Sequence, residues 1–275
     1  MPRFAARLHV LLARDQPLGL ILRRGPSNSV ATLLWNRKTD RFQLGQWLKG
    51  RIYERRCDLS SDGKHFLYFA MNGRWHTESR GSWTAISRAP FLKALTFLPK
   101  GDGWHGGGLW TGVTRYWLND GAGHQVLRST SRLHRDLHWQ PAADYGGECP
   151  GVYYPRLIRD GWTLKEAIPV SRNSEHVLFE KPCPHGWVLR KIAHAESGAP
   201  PGKGCYWDEH VLCHPATAVA IAYPAWEWAD LDGSRLVWAA HGQLATGRLT
   251  KQGLSETRTL IDLNDLRFEA IKAPY

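Results

Sequence analysis

The densest run of ligand-type side chains lies between Cys183 and His214, where Cys183, His185, His194, Cys205, His210, Cys213 and His214 fall in one stretch. Thiolate and imidazole are the donors zinc prefers, and Cys205-x₄-His210-x₂-Cys213 is compact enough for a single ion. A structural zinc knuckle would carry a paired Cys-x₂-Cys, and none is present. The plainer account is a chance cluster in a chain with 13 histidines, the cysteines acting as small buried hydrophobes. Zinc on Cys205, His210 and Cys213 is the only cofactor suggested, and the expectation is that none is required.

A second grouping sets carboxylates among aromatic rings, in Tyr206-Trp207-Asp208-Glu209-His210 and Trp226-Glu227-Trp228-Ala229-Asp230. Hydrolysis of a glycosidic bond needs two carboxylates, about 5–5.5 Å apart in a retaining enzyme and about 6.5–9.5 Å in an inverting one. Glu209 and Glu227 are the acid/base candidates, with Trp207, Trp226 and Trp228 offering faces on which a sugar ring could stack. Against this, 14 tryptophans make a Trp–Glu neighbour unremarkable, and packing accounts for most of them.

The run Gly101-Asp102-Gly103-Trp104-His105-Gly106-Gly107-Gly108-Leu109-Trp110 lacks the Gly-Lys-Ser/Thr of a phosphate loop and opens no helix, as a dinucleotide fingerprint would. It reads as a loop whose Trp104, His105 and Trp110 form an adaptable contact surface. No nucleophile elbow and no Ser-His-Asp order is recognisable. Net charge is +11, and residues 1–60 hold twelve Lys/Arg against four Asp/Glu. That asymmetry suggests an anionic partner, and basic charge beside aromatics is how single-stranded nucleic acid is held. The basic residues are scattered singly, however, and no recognised nucleic-acid module appears.

These side chains must be positioned by strands. Short β-branched and aromatic runs bounded by Gly, Pro, Asn, Asp and Ser recur, among them Val30–Trp35, Phe66–Phe69, Ala94–Leu98, Val177–Phe179 and Leu236–Trp238. The best helical candidate, 260–271, is short. No window approaches 18 consecutive apolar residues, so no membrane span is expected. The apolar run near the N-terminus is broken by Arg7 and His9 and reads as a strand, not as a signal peptide. Five irregularly spaced cysteines fit reduced thiols in a cytoplasm better than a secreted disulfide framework.

Two segments repeat one another: Asp62-Gly63-Lys64-His65-Phe66-Leu67-Tyr68-Phe69-Ala70 and Asp232-Gly233-Ser234-Arg235-Leu236-Val237-Trp238-Ala239-Ala240. Each sets an Asp-Gly turn, which supplies positive φ, before a nearly all-apolar strand of the kind buried between two sheets. Weaker copies are Asp15-Gln16 before Leu18–Leu22, Asp120-Gly121 before His124–Leu127, and Asn173-Ser174 before Glu175–Phe179. Five units of about 55 residues fill the chain, longer than common propeller repeats, so each carries a long loop.

At these residues the chain resembles the Ser-Pro-Asp-Gly and tryptophan-aspartate repeat β-propellers, with Ser60-Ser61-Asp62-Gly63-Lys64 lacking the usual proline and no regular Trp-Asp pair. The stretch from Gly45 to Cys57 also resembles a family of bacterial proteins, which implies no activity. The expected fold is therefore all-β: a single β-propeller over 1–275, five blades of four antiparallel strands, the N-terminal strand around Leu8–Leu12 closing the ring against the last blade. Some five-bladed propellers are glycosidases, which keeps that activity as an alternative. The expected function is a non-enzymatic, monomeric interaction protein presenting inter-blade loops to a protein partner, with sugar or nucleic acid as the other partner classes.

Overall fold

A computed structural model describes residues 4–25, 28–121, 123–145, 148–171, 174–196, 198–201 and 203–275. The first sheet holds β1 (Arg7–Leu12), β2 (Leu18–Arg24), β3 (Ser29–Asn36) and β4 (Arg41–Lys49) in sequential order. The second holds β5 (Arg51–Ile52), β6 (Asp58–Leu59), β7 (His65–Met71), β8 (Ser82–Arg88) and β9 (Ala94–Pro99), with both short strands pairing β7. β10 (Gly108–Trp110), β11 (Arg115–Leu118) and β12 (His134–Arg135) make the third, in which β11 and β12 run parallel. After helix α1 (Cys149–Arg159) come the fourth sheet, β13 (Thr163–Ser171), β14 (Ser174–Pro182), β15 (Val188–Ala195), β16 (Tyr206–His214) and β17 (Val219–Ala222), and the fifth, β18 (Trp226–Asp232), β19 (Arg235–Ala240), β20 (Gln243–Thr250) and β21 (Gly253–Asp262). The fold is all-β with 8% helix, a five-bladed β-propeller of mainly four-stranded antiparallel blades. Among the described residues, no helix is long and apolar enough to cross a membrane.

Contacts divide the chain into two compact units, one of residues 10–156 with 4 and 266–275, the other of residues 5–9 and 157–265. In the first, β7 shows why its sequence is apolar on both faces. Phe66, Tyr68 and Ala70 join a core with Leu20, Leu22, Val30 and Trp83, while Leu67, one residue out of phase, joins a second core with Leu98, Trp110, Tyr116 and Leu118. The period-2 alternation of a strand thus feeds two cores at once. In the second unit the corresponding load falls on Trp226, stacked between Tyr223 at 3.8 Å and Trp238 at 4.9 Å.

Several expectations need correction. The N-terminal strand belongs to the first sheet through β2, and the last sheet takes all its strands from 226–262. A hairpin closed by a turn in which Ala13 N–H donates to Leu18 O costs far less loop entropy than pairing the two chain ends. Residues 5–9 meet segments around the last sheet through hydrogen bonds to side chains, Leu8 N–H donating to Glu227 Oε2 and Ala6 N–H to Asn264 Oδ1, both at 3.0 Å. No helix forms over 260–271: β21 runs to Asp262, whose Oδ1 accepts the Asn264 N–H. The helix that does form, α1, begins Cys-Pro-Gly and contains Pro155, which removes the N–H that would bond Gly151 O. The turns before β2, β7 and β19 fall as expected; that before β14 includes Asn173, which lies outside the described residues. The Asp120-Gly121 copy is not a hairpin, and His124–Leu127 is not a strand; the third hairpin turns at Thr111–Thr114 instead.

Candidate binding cleft

Between β11 and α1 the chain runs through about thirty residues, and among the described ones the two-residue β12 is the only regular structure. Connections of this length without regular structure are usually either functional loops or linkers. This one leaves, beside the third sheet, a cleft of about 650 Å³ lined by residues that include His105, Asp120, Arg135, Asp136, Leu137 and Tyr145.

Asp120 organises part of the lining. Its Oδ1 lies 2.7 Å from His124 Nδ1 and its Oδ2 2.9 Å from Arg135 Nη2. His124 Nε2 lies 2.9 Å from Thr84 Oγ1, which also accepts the Gly107 N–H at 2.9 Å. One tautomer satisfies every group: His124 donates from Nδ1 to Asp120 and accepts the Thr84 hydroxyl at Nε2. Burial pushes the His124 pKa below its ordinary value, against the pull of Asp120. Burial by itself raises Asp120, but hydrogen bonds from His124 and Arg135 outweigh it and hold the carboxyl low. The order carboxylate–imidazole–hydroxyl is that of a nucleophile relay, yet Thr84 is completely buried, so no substrate atom reaches it. The relay positions chain; it does not react.

The glycine run now has a reason. Gly106 N–H donates to Asn119 O and Asn119 N–H to Gly107 O, clamping the loop to the exit of β11. A Cβ on Gly107 would sit 2.0 Å from Arg56 O and one on Gly106 2.3 Å from the Phe69 ring, and both residues have positive φ. Glycine is required by close approach, not by a phosphate. Trp104 N–H caps on Asp102 Oδ1 at 2.8 Å, and the indole is 67% exposed. Asp136, also in the lining, accepts from Thr111 Oγ1 and from the His138 and Trp139 amides; the Thr111 bond leads in lowering its pKa. That network holds Leu137 at 69% exposure.

The remaining candidate residues scatter. Trp110 is buried in β10, and Trp226 and Trp228 are buried in β18, so none presents a face for a ligand. Trp207 is stacked on His194, with ring centres 4.3 Å apart. Glu209, on β16, faces His194 Nε2 at 3.5 Å, whereas Glu227, on β18, is occupied by the Leu8 amide. Cys205 is exposed before β16, while His210 and Cys213 stand three apart on that strand and so point to opposite faces. His210 is committed to Lys191 Nζ at 3.0 Å and Trp226 O at 3.1 Å. Among the described residues the donor set that converges is a different one: His176, His194 and Glu196. His194 stood out in sequence and the His194-x-Glu196 spacing is visible there, but His176 is brought in by strand register alone.

No protein-family model and no curated protein sequence matches the chain. Among solved structures it is similar to one described as "Structural and Mechanistic Analysis of Two Prolyl Endopeptidases: Role of Inter-Domain Dynamics in Catalysis and Specificity", at 9% identity and a TM-score of 0.20 over 88% of this chain and 47% of that one. The chain thus spans about half the length of that structure.

Proposed function

We propose that the chain is a non-enzymatic interaction protein and that a protein partner docks at the cleft beside the third sheet. The observation behind this reading is a 650 Å³ cleft of mixed polar and apolar lining, with Leu137 in that lining and Trp104, the sequence neighbour of the lining residue His105, both held out to solvent. An aromatic anchor beside polar groups of fixed orientation is the composition of an interaction hot spot. The carboxylates and the imidazole of the wall are tied to one another, which suits shape recognition better than proton transfer. The glycosidase alternative has less support, since Glu209 and Glu227 face different partners.

Affinity capture with the full chain tests the reading. Wild type should retain a stoichiometric protein partner, and Trp104→Ala combined with Leu137→Asp should lose it, with affinity down at least about 30-fold if the pair contributes 2 kcal/mol. Both residues are exposed, so the melting temperature should stay within the scatter of surface substitutions. A partner retained equally by the double variant, or turnover of a sugar conjugate that disappears in Glu209→Gln, would reverse the assignment.

A further inference from the structure

Two neighbouring strands of the fourth sheet bring three ligand-type side chains together, their donor atoms all within 4.8 Å of one another: His176, His194 and Glu196. Register pairs His176 on β14 directly with His194 on β15, so both imidazoles stand on one face. Glu196 follows His194 by two residues and returns to that face. The His194 ring lies flat on Trp207, with an interplanar angle of 5°, which fixes its plane. Its Nδ1 is 2.7 Å from Glu196 Oε1 and its Nε2 is 3.5 Å from Glu209 Oε1; His176 Nδ1 is 3.9 Å from the same Glu196 oxygen.

We propose that His176, His194 and Glu196 form a zinc-binding site, with Glu209 as the outer carboxylate that sets the tautomer of His194. Ligating imidazoles are neutral, so two carboxylates give this cluster a formal charge of −2, which one divalent ion neutralises. A proton on Nε2 facing Glu209 leaves the Nδ1 lone pair, 2.7 Å from Glu196 Oε1, to ligate, the carboxylate–histidine–metal arrangement. Nitrogen and oxygen ligands about 2.0–2.1 Å from a tetrahedral zinc lie roughly 3.3 Å apart. The 2.7 Å separation therefore opens and the 3.9 Å separation closes by roughly half an ångström each, and the two imidazoles, within 4.8 Å, close by up to about 1.5 Å through rotation of His176. Three protein ligands leave the fourth position to solvent. The site sits at the start of the β15–β16 connection, where Glu196 N–H donates to Cys205 O, so the ion would pin that connection to β14. This inference is independent of the cleft.

Zinc chloride titrated into the full, untagged chain provides the test, read by calorimetry and by melting temperature. One zinc per chain is expected, with a rise in melting temperature that chelator reverses. His176→Ala and Glu196→Gln should abolish the rise. Glu209→Gln should weaken affinity about 10–100-fold while leaving the zinc-free melting temperature unchanged. Cobalt(II) should give visible d–d bands without a thiolate charge-transfer band, because the ligands are nitrogen and oxygen. Absence of any zinc-dependent shift, or equal affinity in His176→Ala and Glu196→Gln, overturns the proposal. So does a charge-transfer band lost in Cys213→Ala, which would move the metal to Cys205, His210 and Cys213.

Discussion

Arg56 shows how far a single residue's role can lie from its sequence context. In Glu54-Arg55-Arg56-Cys57 it reads as part of a basic N-terminal surface, yet it is 1% exposed, and Arg23 and Arg55 are buried as well. Its Nε donates to Cys149 Sγ at 3.3 Å, Nη1 to Gly103 O at 2.7 Å and to His105 O, and Nη2 to Glu148 at 3.1 Å. Tyr53 and Phe69 cover the guanidinium at 5.0 Å each. Burial raises the Cys149 pKa despite the arginine, so the thiol there is neutral. Because Gly103 and His105 flank Trp104, Arg56 anchors the loop that builds one cleft wall. Arg56→Ala should cost about 2–4 kcal/mol, since it strands the Gly103 and His105 carbonyls and empties a buried guanidinium slot beside the partly exposed Glu148. Arg56→Lys should recover less than half of that, because an ammonium cannot reproduce a planar, many-donor fork between two rings. Urea denaturation measures both; a lysine variant as stable as wild type would show that charge alone suffices. None of this was legible in sequence, because a pairing between Arg56 and residues 103–149 exists only after folding. The same limit hid His176 from His194. What sequence did show at this scale was local: the glycine run as a loop carrying Trp104 and His105, and His194 among the ligand-type residues, while Glu196 was not singled out.

At the scale of elements, the two Asp-Gly hairpins were readable because their chemistry is contained in four residues. Asp62 Oδ1 accepts from Ser60 Oγ and from the Lys64 N–H, and Gly63 takes φ +72°; Gly233 takes φ +62° in the corresponding turn. Asp120-Gly121 has the same letters, but its carboxylate is claimed by His124 and Arg135 from outside the turn, so tertiary bonding overrode the local signal. Helix α1 escaped notice for the opposite reason: Pro150, Gly151 and Pro155 all argue against a helix locally, while Val152, Tyr153, Tyr154, Arg156 and Leu157 are buried and hold it by packing. The two sound hairpins nevertheless differ in surroundings. A Cβ on Gly63 would meet Leu18 Cδ1 at 2.8 Å and Leu18 Cβ at 2.9 Å, whereas one on Gly233 meets nothing within 4 Å. Gly233→Ala should therefore cost only the left-handed backbone term, about 1–2 kcal/mol. Gly63→Ala should add a clash term of about 1–3 kcal/mol, because β2 must shift to make room. Equal losses on chemical denaturation would mean that Leu18 simply rotates away.

For the whole molecule, the shifts resolved for histidines and aspartates share one sign. Burial pushes the pKa of His65 and of His124 below the ordinary 6.5. For Asp62, burial raises the pKa, but hydrogen bonds from Ser60 and Lys64 carry it below 3.8, and Asp120 behaves likewise through His124 and Arg135. As pH falls through 6.5, the unfolded chain protonates these two histidines before the folded chain does. The unfolded state then binds more protons, and stability drops. The carboxylates act in the same direction below 3.8, where again the unfolded state protonates first. A net charge of +11 that only grows as 13 histidines protonate adds self-repulsion. Melting temperature, measured without zinc at constant ionic strength, should be level above about pH 7, fall steadily below 6.5 and fall more steeply below 3.8. His124→Gln should start lower, because it breaks the link between Asp120 and Thr84, yet show a shallower slope between about pH 6.5 and 4, because one differential proton is gone. A wild-type melting temperature that rises between pH 7 and 5 would mean the opposite balance at His124, with the Asp120 carboxylate outweighing burial and the imidazolium belonging to the folded state.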